Sequence, residues 1–199
     1  MTTYLYVEGG GDSKDLHSRC REGFRKLLER CGFAGRMPRI VACGSRNAAY
    51  DDFCTALSNT AAGTYVALLV DSEEPVADVN DPWGHLLARD RWPRPAGARD
   101  DQAFLMVTSM ETWIACDRAA LGAYYGANVR ASSLPPADGL ESRPRAAVLQ
   151  SLAHATHAAP RPYAKGAESF ALVARLDPQV LRRYLPSFAR TVAVLDREL

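Results

Sequence analysis

Tyr65-Val-Ala-Leu-Leu-Val70 is an uninterrupted apolar run that stops at Asp71 and continues through Ser72 to Glu73 and Glu74. Such a run reads as a strand buried on both faces, the pattern of parallel sheets covered by helices. The first strand of the chain, Tyr4-Leu-Tyr-Val7, likewise ends on an acid and passes into a turn, Glu8-Gly-Gly-Gly-Asp12. In an open parallel sheet the carboxyl ends of neighbouring strands converge on one crevice, so Glu8, Asp71 and Glu73 are expected to meet there.

The surrounding sequence alternates strand and helix signals. Asp12 or Ser13 can cap a helix over about 14–31, where Leu16, Cys20, Phe24, Leu27, Leu28 and Cys31 recur at helical spacing before Gly32 stops it. Arg39–Cys43 reads as a second strand, and Gly44-Ser-Arg46-Asn47 as a turn into a helix carrying Tyr50, Phe53, Cys54 and Leu57. Phe104–Thr108 makes a fourth strand. Strands separated by helices need crossover connections, which predicts an α/β fold with a central, mainly parallel sheet flanked by helices.

Between the third and fourth strands, 75–102 is rich in proline and charge, with a helix only over 83–89. Arg89, Arg91, Arg94 and Arg99 surround Trp92 there, a mixture that suits single-stranded nucleic acid, although Asp90, Asp100 and Asp101 dilute the charge and fit a solvated loop equally well. The second half shows helices alone, over 110–125, 143–156, 167–176 and from 178 onward. The expected organisation is an α/β domain over 1–117 with a helical extension, 118–199, packed on it.

A chain of 199 residues, 47% hydrophobic, suffices for one substantial core. Net charge is +1, so any nucleic-acid contact must come from a local patch. No apolar run approaches membrane-spanning length, and the chain enters strand-like sequence without a signal-peptide pattern. Cys20, Cys31, Cys43, Cys54 and Cys116 form no CxxC pair and read as reduced core thiols. Together these predict a cytoplasmic protein with no membrane partner.

Three carboxylates in one crevice repel one another, and a hard divalent cation relieves the repulsion. This points to Mg2+, with Mn2+ able to substitute, and to phosphate chemistry. Each acid has a plainer alternative: Glu8 suits a turn beside a helix N-terminus, and Asp71 a helix cap. Glu111, in Ser109-Met-Glu111-Thr-Trp113, is either a site residue or a first-turn glutamate in a helix that Ser109 caps. Lysine is scarce beside arginine: Lys14, Lys26 and Lys165 are all the chain has. Lys165 therefore reads as a compact charge for a phosphate, or as a solvated loop residue. Arg46 has the same two readings. His154 and His157 lie one turn apart without a zinc motif around them and read as a surface pair.

Glu8-Gly-Gly-Gly-Asp12 followed by Leu69-Val-Asp71-Ser-Glu73 resembles the Toprim superfamily of nucleic-acid enzymes, in which a glutamate after the first strand and an Asp-x-Asp pair after a later one bind magnesium. Gly44-Ser-Arg46, Ser109-Met-Glu111-Thr-Trp113 and Tyr163-Ala-Lys165-Gly-Ala-Glu-Ser169-Phe170 resemble a Toprim-like family of bacterial defence loci often encoded beside an AAA-type ATPase. One departure is Glu73, a methylene longer than the usual aspartate, with Glu74 competing for its role.

The resemblance implies a magnesium-dependent nuclease cleaving DNA or RNA as an anti-phage effector, with an ATPase partner. Glu8, Asp71, Glu73, Glu111 and Lys165 would be its catalytic residues, Glu8, Asp71 and Glu73 its metal ligands, and Arg46 and Lys165 its phosphate contacts. The alternatives are a non-catalytic sensor or adaptor that binds the ATPase, and a small-molecule phosphohydrolase.

Overall fold

The computed structural model describes residues 2–61 and 63–199. Four strands, β1 (Thr2–Val7), β2 (Arg39–Ala42), β3 (Thr64–Asp71) and β4 (Ala103–Met106), form one all-parallel sheet in the order β2-β1-β3-β4. The order reverses between β1 and β3. At such a switch point the connections leave to opposite sides and open a crevice beyond the strand ends.

Successive residues of β3 point to opposite faces, and both faces are covered. Val66, Leu68 and Val70 face Phe53 of α2 (Arg46–Ser58) and Trp83 and Leu86 of α3 (Pro82–Asp90). Ala67 and Leu69 join the larger core, with Phe24 and Leu27 of α1 (Lys14–Leu28) and side chains from every later helix. These helices are α4 (Met110–Cys116), α5 (Arg118–Tyr125), α6 (Arg145–Thr156), α7 (Ala167–Val173), α8 (Pro178–Tyr184) and α9 (Pro186–Glu198). The helical half thus completes one layer of the α/β unit. Trp113 meets Phe188 edge to face at 4.9 Å, and Arg190 of α9 donates to the Ala103 carbonyl of β4 at 2.9 Å. Helix α7 lies so close to α1 that a Cβ on Gly23 would stand 2.7 Å from the Phe170 carbonyl oxygen.

Local signals account for most boundaries. Ser13 and Ser45 accept the Leu16 and Ala48 amides at 3.1 and 3.2 Å, capping α1 and α2. Helix α1 ends in a wider turn, Glu29–Phe33, with Gly32 at φ 97°. Two predicted helices are each broken in two. The segment 110–125 divides at Asp117, which is buried because one carboxylate oxygen caps α5 through Ala120 N at 2.9 Å and the other accepts Asp177 N at 2.7 Å. From residue 178 onward, Pro186 separates α8 from α9, since its ring cannot continue the hydrogen-bond ladder. The predicted fourth strand also runs too far, for regular pairing ends at Met106.

Candidate metal centre

Glu8 follows β1 directly and its amide continues the ladder to the Leu69 carbonyl at 2.9 Å. Its Oε2 accepts the Asp71 amide, also at 2.9 Å, which ties the two acidic strand ends together. Asp71, the last residue of β3, is 3% exposed, and its Oδ1 accepts Met110 N at 2.8 Å. This carboxylate takes the place of the expected cap on α4: the Ser109 hydroxyl is buried without a partner among the described residues.

Glu73 stands at φ 67°, in the left-handed region, where a non-glycine residue costs roughly 1 kcal/mol or more. Its amide donates to the Thr108 carbonyl at 2.8 Å, fixing the turn. Glu74 is exposed, so Glu73 is the second acid of the pair that enters the cluster. One carboxylate oxygen from each of Glu8, Asp71 and Glu73 lies within 4.8 Å of the others.

The glycines of the β1–α1 turn answer to packing. Gly10, at φ 95°, lies against α1, where a Cβ would come within 2.6 Å of the His17 ring. A Cβ on Gly44, at φ 78°, would meet the Gly11 carbonyl oxygen at 2.7 Å.

The opposing charges come largely from elsewhere in the chain. Lys165 Nζ lies 3.8 Å from both Asp71 Oδ2 and Glu111 Oε1, although the side chain is 51% exposed. Arg145 of α6 pairs with Glu73 Oε2 and lies 3.9 Å from Asp71 Oδ2, while Arg89 of α3 approaches Glu73 at 3.9 Å. Arg46 grips both oxygens of Asp90 at 2.6 and 2.9 Å, donates to the Asp71 carbonyl at 2.9 Å, and lies 3.5 Å from Glu8. Its guanidinium, expected either to contact phosphate or to face water, is committed to the protein.

Glu111 is fully buried. Tyr163 donates to its Oε1 at 2.8 Å and lies 2.7 Å from the Ser169 hydroxyl, which accepts Gly166 N at 3.1 Å. The second oxygen of Glu111 has no hydrogen-bond partner among the described residues. An unpaired buried carboxylate oxygen this close to Asp71 and Lys165 is a further acceptor for a cation or proton.

Burial dominates the protonation of Glu8 and Asp71. It raises Glu8 to about 7, against the Asp71 amide, Arg46 and Lys165, which favour the charged form. Asp71 is pushed well above the usual carboxylate range by burial and then by the Glu8 charge. With every carboxyl ionised, Glu8, Asp71, Glu73, Asp90 and Glu111 outnumber the cations Arg46, Arg89, Arg145 and Lys165 by one. An all-carboxylate donor set with a residual negative charge fits a hard, oxygen-seeking divalent ion.

A family model described as a domain of unknown function, DUF4276, matches residues 7–196. The chain belongs to the DUF4276 family. No curated protein and no solved structure matches it.

In this DUF4276 chain, Glu8, Asp71, Glu73, Glu111 and Lys165 come together as sequence reasoning expected, and Arg46 borders them. Sequence reasoning missed Arg145, and treated Arg89 and Asp90 only as part of a charged loop. Nothing local marks Arg145 among so many arginines. The arginines around Trp92 are largely tied down: Arg94 pairs with Asp100 at 3.2 Å, Arg99 with Asp101 at 2.8 Å, and Trp92 stacks on Tyr50 at 4.5 Å. His154 and His157 are exposed. Among the described residues, no helix is long and apolar enough to cross a membrane.

Proposed function

We propose that this protein is a metal-dependent phosphodiesterase acting on nucleic acid, with Mg2+ as its ion and Mn2+ as a substitute. The observation that carries the reading is the mutual reach of Glu8, Asp71 and Glu73 at the switch point of a parallel sheet, with Lys165 3.8 Å from Asp71. A divalent ion bound there would stabilise charge on a phosphoryl oxygen and make water a better nucleophile.

The chain's own residues have separate tasks. Glu8, Asp71 and Glu73 bind the ion, and Glu8 is also placed to accept the proton of the attacking water. That water forms the new P–O bond as the bond to the leaving oxygen breaks. Lys165 holds a phosphate oxygen, and Glu111 with Tyr163 keeps the Lys165 loop at the acids. The nucleic-acid substrate, the anti-phage role and an AAA-type ATPase partner rest on the Toprim resemblance. The free cysteines support a reducing cytoplasm.

One observation favours the second reading, a non-catalytic adaptor. Arg145 and Lys165 already neutralise much of the cluster from within, so the fold can hold together without an ion. Calorimetric titration with Mg2+ and Mn2+, followed by cleavage assays on single- and double-stranded DNA and RNA, separates the two. Saturable binding and chelator-sensitive cleavage, both lost in Asp71→Asn, are expected. Absence of ion binding to the native chain would leave the adaptor.

A further inference from the structure

A cleft of about 310 Å³ opens directly beside the acids, at the lower end of small-molecule site volumes. Glu8, Asp71 and Lys165 form its polar end. Its remaining wall is apolar or bare backbone: Leu16, Met106, Met110 and Phe170, with the glycines of the β1–α1 turn. Gly9 and Gly44 exchange two hydrogen bonds of 2.9 Å, which pins the glycine wall to the start of α2. A backbone surface without side chains lets a flat ring lie close, and the methionine thioethers make favourable contacts with aromatic rings.

We propose that this cleft receives the base of one nucleotide whose phosphate lies at the acid and Lys165 end. The inference rests on the phosphodiesterase reading for the position of the phosphate. The occupant must present negative charge at one end, for Lys165 and an ion, and a compact apolar group immediately next to it. A nucleotide unit has that layout. The cleft has room for one such unit and not for a stacked base pair, so the base must leave its duplex or come from a single strand. The substrate class is therefore a single-stranded segment, a chain end or a splayed nucleotide.

The methionines make this measurable. The chain has four, and Met106 and Met110 line the cleft while Met37 does not. With methyl-labelled methionine in the full chain and Ca2+ in place of Mg2+, dAMP is expected to shift the Met106 and Met110 methyl resonances saturably and leave Met37 unchanged. Inorganic phosphate and deoxyribose 5-phosphate should leave all three in place. Leu16→Trp, which fills the cleft from a half-buried position, should abolish the dAMP response while Mn2+ still broadens the same methyls. Gly11→Asn narrows the same wall at a φ of 49° that asparagine tolerates, and should weaken the response if Leu16→Trp fails to fold. Unmoved Met106 and Met110 methyls at saturating dAMP, or equal shifts with the base-free phosphates, would overturn the proposal. The parent reading fails separately: methyl shifts without cleavage sink the phosphodiesterase alone, whereas cleavage without methyl shifts, equally fast at an abasic position, sinks the cleft alone.

Discussion

The sheet edge and the helical half contribute to one site in opposite ways. The edge supplies Glu8, Asp71 and Glu73 from short turns whose backbones are locked by hydrogen bonds to neighbouring strand ends, while the helical half supplies Arg145 and Lys165 on long side chains. The acids are buried or nearly so, and Lys165 is half exposed. Fixed anions facing movable cations make a site that is partly neutralised when alone and can exchange its internal cations for an ion and a phosphate. The difference teaches that ligand geometry belongs to the sheet and charge balance to the helices.

Removing the central anion breaks this arrangement most severely. Asp71→Asn should reduce metal-dependent cleavage by about a thousandfold or more. Its melting temperature without metal should stay level or rise, because the amide oxygen can still accept Met110 N and the variant loses only an acid whose charged form burial and Glu8 already disfavour. Cleavage at the native rate would remove Asp71 from the site.

Proton linkage tests the fixed anions next. Glu8 titrates near 7 in the fold and near 4.5 when unfolded, so between these values the native chain holds a proton that unfolding releases. Stability without metal should therefore fall as pH rises from about 5 to about 7.5, by roughly 3 kcal/mol if the whole shift is expressed. Asp71 adds to the slope with the same sign. Saturating Mg2+ favours the carboxylates and should flatten it. Chemical denaturation across this range, with and without Mg2+, provides the measurement, and a metal-free stability that rises with pH would contradict the assignment.

The two cations of the helical half should part company when removed. Lys165→Ala should lower kcat about a hundredfold while metal affinity barely changes, since its partner in the reaction is phosphate. Arg145→Ala should instead tighten Mg2+ binding several-fold, because its guanidinium pairs with Glu73 and would compete with the ion. Its metal-free stability should drop by about 1–2 kcal/mol, between the values for surface and buried pairs. Equal effects on affinity in both variants would erase the distinction between them.

Gly23→Ala tests the seam between the halves. A methyl group 2.7 Å from the Phe170 carbonyl must push α7 away from α1, at about 1–2 kcal/mol of stability, and carries the Lys165 loop with it. An unchanged melting temperature would mean that the seam is looser than the packing of Gly23 requires.

Much of this site is legible one residue at a time. A buried strand announces itself by an apolar run, and the acid that ends it marks the crevice, so Glu8 and Asp71 need only local pattern and the parallel-sheet rule. Lys165 was legible through the rarity of lysine, and Glu111 through the motif around it. Arg145 was not, for its pairing with Glu73 depends on how α6 crosses the loop after β3.

The sequence by itself determined the alternation of strands and helices, the turns that open α1 and α2, and the acids at the ends of β1 and β3, because periodicity, turn chemistry and chain breaks act over a few residues. Tertiary structure alone decided that Glu73 enters the cluster and Glu74 does not, through a left-handed backbone held by the Thr108 carbonyl. It decided that Asp71 takes the amide that starts α4, that Asp117 splits a continuous helical pattern, and that Arg46 is held by Asp90. Each of these depends on a partner far away in sequence, whose position is fixed only once the two halves share a core.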